Sequence, residues 1–200
     1  MGFSEVNGRR LPLLVGIGGQ GARFVSSLTE NGGFDPLILD TDVRSFDGQN
    51  EDRCILVGKE IVNCEGSGDN LNKAKACFMV SMDRIAPEIL SRPLVVTVSS
   101  AGGATGIAGS VELVQFLSKV GLPTFSILIN RMDRQMNVSG NTDLSQVLLT
   151  GPLRPGARYD MEDDDKEVLG SIIGDICLGS VQDIDFSVPS ASWGYLRENG

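Results

Sequence analysis

The stretch Val15-Gly16-Ile17-Gly18-Gly19-Gln20-Gly21 decides the fold of this chain. It ends an apolar run over residues 11–15, and apolar residues recur at helical spacing over residues 22–30. This order predicts a buried strand, a tight turn and a helix. Glycines at such a turn let backbone N–H groups approach an anion, and the helix N-terminus attracts negative charge. The pattern also fits a dinucleotide-binding protein, and close packing of helix on strand would explain it without a ligand.

A second glycine-rich turn, residues 102–109, follows an apolar, β-branched run over residues 93–98 and precedes a helix predicted over residues 107–120. Proteins that bind dinucleotides are marked by the first glycine turn, so a second one this rich is unusual for them. A Walker loop is excluded because no lysine follows the glycines. Two lysine-free turns predict a phosphate chain held mostly by backbone amides.

The rest of the chain repeats the alternation of strand and helix. Further strands are predicted over residues 36–39, 54–57, 124–129 and 147–149, and further helices over residues 71–90 and 167–181. Pro87 predicts a kink or boundary in its helix, and residues 152–165 are predicted to form a loop. The alternation predicts an α/β fold with a doubly wound, mainly parallel sheet.

The composition excludes several classes of function. A formal net charge of -9 argues against a surface that grips nucleic acid or anionic lipid without specificity. The absence of histidine from the sequence excludes His-based metal sites, Ser-His-Asp triads and Cys-His dyads. The four cysteines form no CxxC pair, which is typical of structural thiols in a reducing cytosol. The apolar run over residues 11–15 is too short for a signal peptide or membrane span, so a cytoplasmic protein without membrane insertion is predicted.

Four ordered blocks of the sequence resemble the tubulin/FtsZ superfamily, and FtsZ in particular. They are the first glycine turn, Ile38-Leu39-Asp40-Thr41-Asp42, the stretch from Cys54-Ile55-Leu56-Val57-Gly58-Lys59 to Gly66-Ser67-Gly68-Asp69-Asn70, and residues 96–109. The resemblance runs from about residue 11 to about residue 130. It implies a Rossmann-like GTPase domain that binds GTP or GDP, with Mg²⁺ held through the phosphates and no protein ligand for the metal.

The resemblance also assigns roles to individual residues. The nucleotide-binding residues that it implies are Gly18, Gly19, Gln20, Gly21, Arg23, Asp42, Gly68, Asp69, Asn70, Ala101, Gly102, Gly103, Ala104, Thr105, Gly106 and Gln135. In the family, two acidic residues of the next subunit polarise the attacking water. Asp185, in a stretch similar to the family's "NVDF", matches the first of them, and Asp183 replaces an asparagine.

Departures from the family pattern limit what the resemblance implies. In the second turn Ala104 and Ala108 stand where the family has glycine, and Ile107 replaces its second threonine. On the base side, Lys166 lies near the position of the aspartate that accepts from guanine. Only one of the two catalytic carboxylates has a match. The sequence therefore predicts a cytoskeletal or cell-division protein that binds GTP, with weak or absent hydrolysis to GDP and phosphate that would require self-association.

The resemblance further implies a domain organisation and partners. The nucleotide-binding domain is predicted over residues 1–182, with a central helix over 166–181, and residues 183–200 resemble the start of the loop that completes a neighbour's site. The family's second domain is expected to be absent, and the expected partner is a second copy or an FtsZ-like protein in head-to-tail contact. Two alternatives stay open: a non-hydrolysing scaffold or regulator that binds a true FtsZ, and an NAD-binding oxidoreductase with Asp40 or Asp42 on the ribose.

Overall fold

A computed structural model describes residues 5–6, 9–28, 34–100, 102–122, 124–131 and 147–153. In chain order its elements are β1 (Glu5–Val6), β2 (Arg9–Arg10), β3 (Leu13–Ile17), α1 (Gly18–Leu28), β4 (Asp35–Asp40), two 3-10 turns (Val43–Phe46 and Glu51–Arg53), β5 (Cys54–Leu56), α2 (Lys59–Val62), α3 (Leu71–Ile89), β6 (Val95–Ser100), α4 (Ala104–Val120), β7 (Thr124–Arg131) and β8 (Val147–Leu153).

The centre of the described chain is a six-stranded sheet in the order β5-β4-β3-β6-β7-β8, in which every neighbouring pair is parallel. All five residues of β3 and all six of β6 are buried. Strands covered on both faces lose the polar–apolar alternation, which is why the sequence shows them as continuous apolar runs. The prediction of an α/β fold with a parallel sheet is confirmed.

Helices cover both faces of the sheet. On one face Leu13, Val15 and Ile17 pack in a single core with residues of α3 and α4, including Phe78 and Leu117. The connections β3-α1-β4 and β6-α4-β7 run in opposite directions across the sheet, and right-handed crossovers then place α1 and α4 on opposite faces. The sheet is therefore doubly wound, as predicted.

The two glycine-rich stretches contain more regular structure than the sequence predicts. Strand β3 continues through Ile17, and α1 already begins at Gly18 instead of residue 22. Likewise β6 continues through Ser100, and α4 begins at Ala104 instead of residue 107. Glycines weaken a helix by propensity alone. Gly21 in α1 and Gly106 in α4 nevertheless lie close against the carbonyl oxygens of Val98 and Ser100, a tertiary contact that local propensity does not show.

Two prolines lie inside regular elements. Pro87 is within the last turn of α3, which runs on to Ile89, so it marks neither end of the helix. Pro152, predicted to lie in a loop, belongs to β8 at one margin of the described sheet. Prolines within sheets are found mainly on such edge strands, where a missing N–H on the unpaired side breaks no ladder hydrogen bond. The predicted central helix over residues 166–181 lies outside the described residues. Within the described part of the chain, no helix combines the length and apolarity needed to cross a membrane.

Candidate functional site

The fold creates a crevice at the carboxyl ends of β3 and β6. These adjacent strands send their connections in opposite directions, to α1 and to α4. In open parallel sheets the loops diverge at such a point and leave a space for ligand. Both glycine-rich turns lie at this point, because each directly follows one of the two strands.

A cleft with a volume of about 150 Å³ occupies this position. It is lined by Ile17, Gly18, Gly19, Gln20, Asp40, Gly68, Asp69, Ser100, Gly103, Ala104, Thr105 and Gly106. Among these described residues there are two carboxyl groups and no lysine or arginine. An anion in this cleft would therefore depend on backbone N–H groups, or on a cation that it brings with it.

The glycines of the first turn have different tasks. A Cβ on Gly16 would lie 2.5 Å from the carbonyl oxygen of Gly21, and a Cβ on Gly21 would collide with the carbonyl oxygen of Val98. These two glycines let β3, α1 and β6 approach closely. Gly18 has a φ of +73°, which side chains rarely adopt. Gly19 has open space toward the cleft, where the nearest atom to an added Cβ is the Ser45 hydroxyl at 3.5 Å. Close packing thus explains Gly16 and Gly21. Gly18 and Gly19 instead line the cleft.

The second turn presents the N-terminus of α4 to the cleft. Gly103 caps the helix in an extended conformation and supplies no side-chain hydrogen bond to the first turn. The first N–H groups of a helix have no partner within it, and Ala104 and Thr105, which begin α4, line the cleft. A Cβ on Gly103 would have no atom within 4 Å, so this glycine leaves space at the mouth of the cleft.

Three hydroxyl-bearing residues join the loops around the cleft. Thr41 follows β4, Ser67 precedes α3, and Thr105 lies in the first turn of α4. The Thr105 hydroxyl lies 2.9 Å from that of Thr41 and 3.0 Å from that of Ser67. The backbone N–H of Ser67 donates to Thr41 Oγ1 at 3.0 Å. We call these residues the hydroxyl triad.

Asp40 is the buried carboxyl group of the cleft, at the carboxyl end of β4. Burial raises the pKa of Asp40 above its ordinary value, and its hydrogen bonds from Ser45 and from the N–H groups of Asp42 and Thr41 only partly oppose this. The N–H of Thr41 donates to Asp40 Oδ1 at 2.6 Å, which fixes the backbone that carries the hydroxyl triad. Asp40 therefore orients this loop, and its burial disfavours the ionised form of its carboxyl group.

Stability is expected to respond to the titration of Asp40. A carboxyl group with a raised pKa in the folded state stabilises it fully below its ordinary pKa of 3.8, and this contribution is lost as the pH rises through the higher folded value. Compared with an Asp40→Asn variant, the wild type should lose free energy of unfolding as the pH is raised from 3.8 through the higher pKa that Asp40 has in the folded protein. Urea denaturation at a series of pH values measures the difference.

Asp42 provides the control with the opposite sign. The hydrogen bonds from the Arg44 side chain lower the pKa of Asp42, so its contribution is present above 3.8 and is lost as the pH falls. An Asp42→Asn variant should therefore differ from the wild type in the other direction. A pH dependence that is the same for both variants would contradict the assignment to Asp40.

Most of the predicted nucleotide-binding residues are brought together by the fold. Those that line the cleft are Gly18, Gly19, Gln20, Gly68, Asp69, Gly103, Ala104, Thr105 and Gly106. Their role in binding stays a prediction. Ala101, Gln135, Asp183 and Asp185 lie outside the described residues, so the predicted catalytic pair and part of the predicted base side have no structural description.

The other predicted residues have structural tasks in the described chain. Asn70 caps α3, where its side chain accepts from the N–H of Lys73 at 2.9 Å. Asp42 caps the first 3-10 turn and forms an ion pair with Arg44. The N–H of Gly102 donates to Ser100 Oγ at 3.1 Å. Gly21 packs against β6, and Arg23 lies on the exposed side of α1.

Sequence reasoning assigned no role to Thr41, Ser67 or Ser100. Ser67 is buried in a loop of small polar residues, where its composition predicts only a turn. The available signal was indirect: Thr41 and Ser67 lie inside the second and third ordered blocks, beside residues that were assigned. The contacts of Thr41 with Ser67 and with Thr105 span 26 and 64 positions of the chain, which local patterns do not reveal.

Comparisons with known proteins agree with this geometry. No protein-family model matches the chain. Over 119 residues it is 29% identical to the cell division protein FtsZ of Helicobacter pylori, covering 58% of this chain and 31% of the relative. Over 123 residues it is 27% identical to the FtsZ of Methanothermobacter thermautotrophicus, covering 60% and 32%. The chain thus spans about a third of the length of these curated relatives.

Solved structures show the same architecture. An empty FtsZ dimer from M. jannaschii matches with a TM-score of 0.56 at 24% identity, over 60% of this chain and 35% of the other. A GDP-bound monomer of CetZ1 from Haloferax volcanii matches with a TM-score of 0.62 at 17% identity, over 82% and 58%. At these identities the likeness concerns the fold.

Proposed function

Because the described residues form a tubulin/FtsZ-like domain, we propose that this chain binds GTP or GDP in the cleft between the two glycine turns. The observation that carries the proposal is the juxtaposition of these turns around an α4 N-terminus that has no side-chain cap. Such a terminus presents N–H donors and a positive potential to a phosphate group.

The residues present fit a phosphate chain. Gly19, Gly68 and Gly103 leave the cleft open, since a Cβ on any of them would meet no atom closer than 3.5 Å. Ala104 and Thr105 contribute N–H groups of the first helical turn. Asp40 and Asp69 add negative charge beside a polyanionic ligand, so we propose that Mg²⁺ accompanies the nucleotide through its phosphates and offsets this repulsion.

We propose that hydrolysis is weak or absent and that the chain acts in a cytoskeletal or cell-division process. Support for low turnover comes from the sequence, where one of the family's two catalytic carboxylates has a match. A second copy or an FtsZ-like protein, in head-to-tail contact, is the proposed partner. FtsZ of the species from which the chain derives is the protein to test in co-sedimentation.

Binding is tested by calorimetric titration of the purified chain with GDP, GTP and NAD, each with and without Mg²⁺. Saturable binding of the guanine nucleotides that Mg²⁺ strengthens, without binding of NAD, is the expected result. The absence of saturable binding of GDP and GTP at millimolar concentration would contradict the proposal. Nucleotide binding without phosphate release, together with co-sedimentation with FtsZ, would favour the scaffold alternative over a GTPase.

A Gly103→Asp variant is expected to bind the nucleotide at least about tenfold more weakly than the wild type. An aspartate at the N-cap accepts from the same N–H groups that a phosphate would use, and its charge repels the phosphate. The same change should not destabilise the protein, because an N-terminal acidic cap stabilises a helix. Titration calorimetry and thermal unfolding measure the two effects.

Gly103→Ala is the matched control for this variant. Gly103 is extended, with φ −135° and ψ 143°, and a Cβ there has open space. Alanine cannot cap the helix, so its N–H groups stay accessible and binding should be nearly unchanged. Equal losses in the two variants would show that bulk at this position matters and not competition for the N–H groups.

A further inference from the structure

The Ser67 hydroxyl sets the direction of hydrogen bonding in the hydroxyl triad through its bond to the backbone. The hydroxyl of Ser67 lies 3.2 Å from the carbonyl oxygen of Gly68, and a carbonyl oxygen can only accept. Each hydroxyl has one hydrogen, so when Ser67 donates to Gly68, the hydrogen between Ser67 and Thr105 comes from Thr105. The hydrogen between Thr105 and Thr41 then comes from Thr41.

This order leaves the triad without a free donor. Thr41 donates to Thr105, Thr105 donates to Ser67, and Ser67 donates to the backbone. Thr41 Oγ1 also accepts from the N–H of Ser67, so its position is fixed from two sides. In this order the hydroxyl of Thr105, which lines the cleft, has no free hydrogen, and an ionised phosphate oxygen can only accept.

Resting on the proposed function, we infer that Ser67 competes with a phosphate group of the bound nucleotide for the hydroxyl hydrogen of Thr105. Thr105 lines the cleft, so its hydroxyl reaches a phosphate oxygen when it leaves Ser67. Binding then detaches Ser67 from α4 and loosens the loop that carries Gly68 and Asp69. Ser67 is a positioning residue that lowers affinity and ties this loop to occupancy of the cleft.

The inference predicts a gain of affinity from removing a polar group. In a Ser67→Ala variant the Thr105 hydrogen has no Ser67 oxygen to leave, so the variant should bind GDP or GTP with Mg²⁺ about fivefold more tightly than the wild type, the value of one ordinary hydrogen bond. If Ser67 instead donated to the nucleotide, the same variant would bind more weakly.

A double-mutant cycle assigns the gain to Thr105. In a Thr105→Val background the hydrogen is gone, so adding Ser67→Ala should leave the affinity unchanged within about twofold. In a Thr105→Ser background the hydrogen is retained, so Ser67→Ala should again tighten binding. Thermal unfolding and circular dichroism of each variant show that the compared proteins are folded, and Ser67→Gly, which also removes the hydroxyl, replaces Ser67→Ala if that variant is unstable.

The outcomes separate the inference from the proposed function. Wild-type binding with unchanged or weaker binding by Ser67→Ala overturns the inference and leaves nucleotide binding standing. An equal gain in the Thr105→Val background overturns it as well, since the effect would not pass through Thr105. Failure of the wild type to bind GDP or GTP overturns both together.

Discussion

An Asp35→Asn variant is expected to lose about 3–5 kcal/mol of unfolding free energy, the usual consequence of breaking a buried ion pair on one side. Asp35 begins β4, and its carboxylate contacts the guanidinium of Arg92, which follows α3. The two side chains are 2% and 0% exposed. Asparagine keeps the shape and an acceptor but removes the charge that faces the buried cation.

The surroundings of this pair explain why the loss is large. Arg92 also donates to the backbone oxygens of Leu11 and Glu88, each at 3.3 Å. It thereby joins the start of β3 to the end of α3, while Asp35 adds the start of β4. Arg53 lies 3.7 Å from the other carboxylate oxygen and is only partly exposed. The Asp35→Asn substitution therefore affects three segments that meet at the amino-terminal ends of the strands: the start of β3, the end of α3 and the start of β4.

Chemical denaturation of matched variants tests this prediction. Lys75→Met removes the half-exposed partner of Glu112, which lies 3.2 Å away and is 13% exposed, and it should cost less than Asp35→Asn because this pair is less buried. A double variant with Asp35→Leu and Arg92→Met replaces both charges by apolar groups and should recover much of the loss. If Asp35→Asn proved as mild as Lys75→Met, the pair would have little structural role.

A Gly21→Ala variant is expected to lose about 3 kcal/mol of stability, at the upper end of the usual range for overpacking. The added Cβ would collide with the carbonyl oxygen of Val98 in β6, and Gly16 lies on its other side at 3.3 Å or less. Backbone atoms of two central strands cannot turn away as a flexible side chain can. Helix α1 would have to shift, and with it the first glycine turn.

Gly103→Ala is again the control, now for stability. It makes the same chemical change in the other glycine turn, where a Cβ has open space and the backbone is extended, so only the poorer N-cap should matter and the cost should stay within about 1 kcal/mol. Both variants are compared by urea denaturation under the same conditions. A neutral Gly21→Ala would mean that α1 lies farther from β6 than the structure shows.

Gly21 and Gly103 show which features of the candidate site could be predicted from the sequence. From the sequence, both turns belong to one class of feature, glycines between strand and helix, and residues of both turns line one cleft in the structure. It could not sort the glycines, because the sorting depends on which backbone of another strand lies within contact of each. Gly16 and Gly21 serve packing, whereas a Cβ on Gly19 or Gly103 would meet no protein atom closer than 3.5 Å.

Local chemistry by itself determined the order of strands and helices, the parallel sheet and the place of the two turns. Apolar runs and glycine-rich turns depend on a few neighbouring residues, so they can be predicted from the sequence. Only the tertiary structure decided the hydroxyl triad and the pair of Asp35 with Arg92, whose members are 57 positions apart. Such contacts depend on how strands and helices pack, and a lone serine or arginine in the sequence does not identify its distant partner.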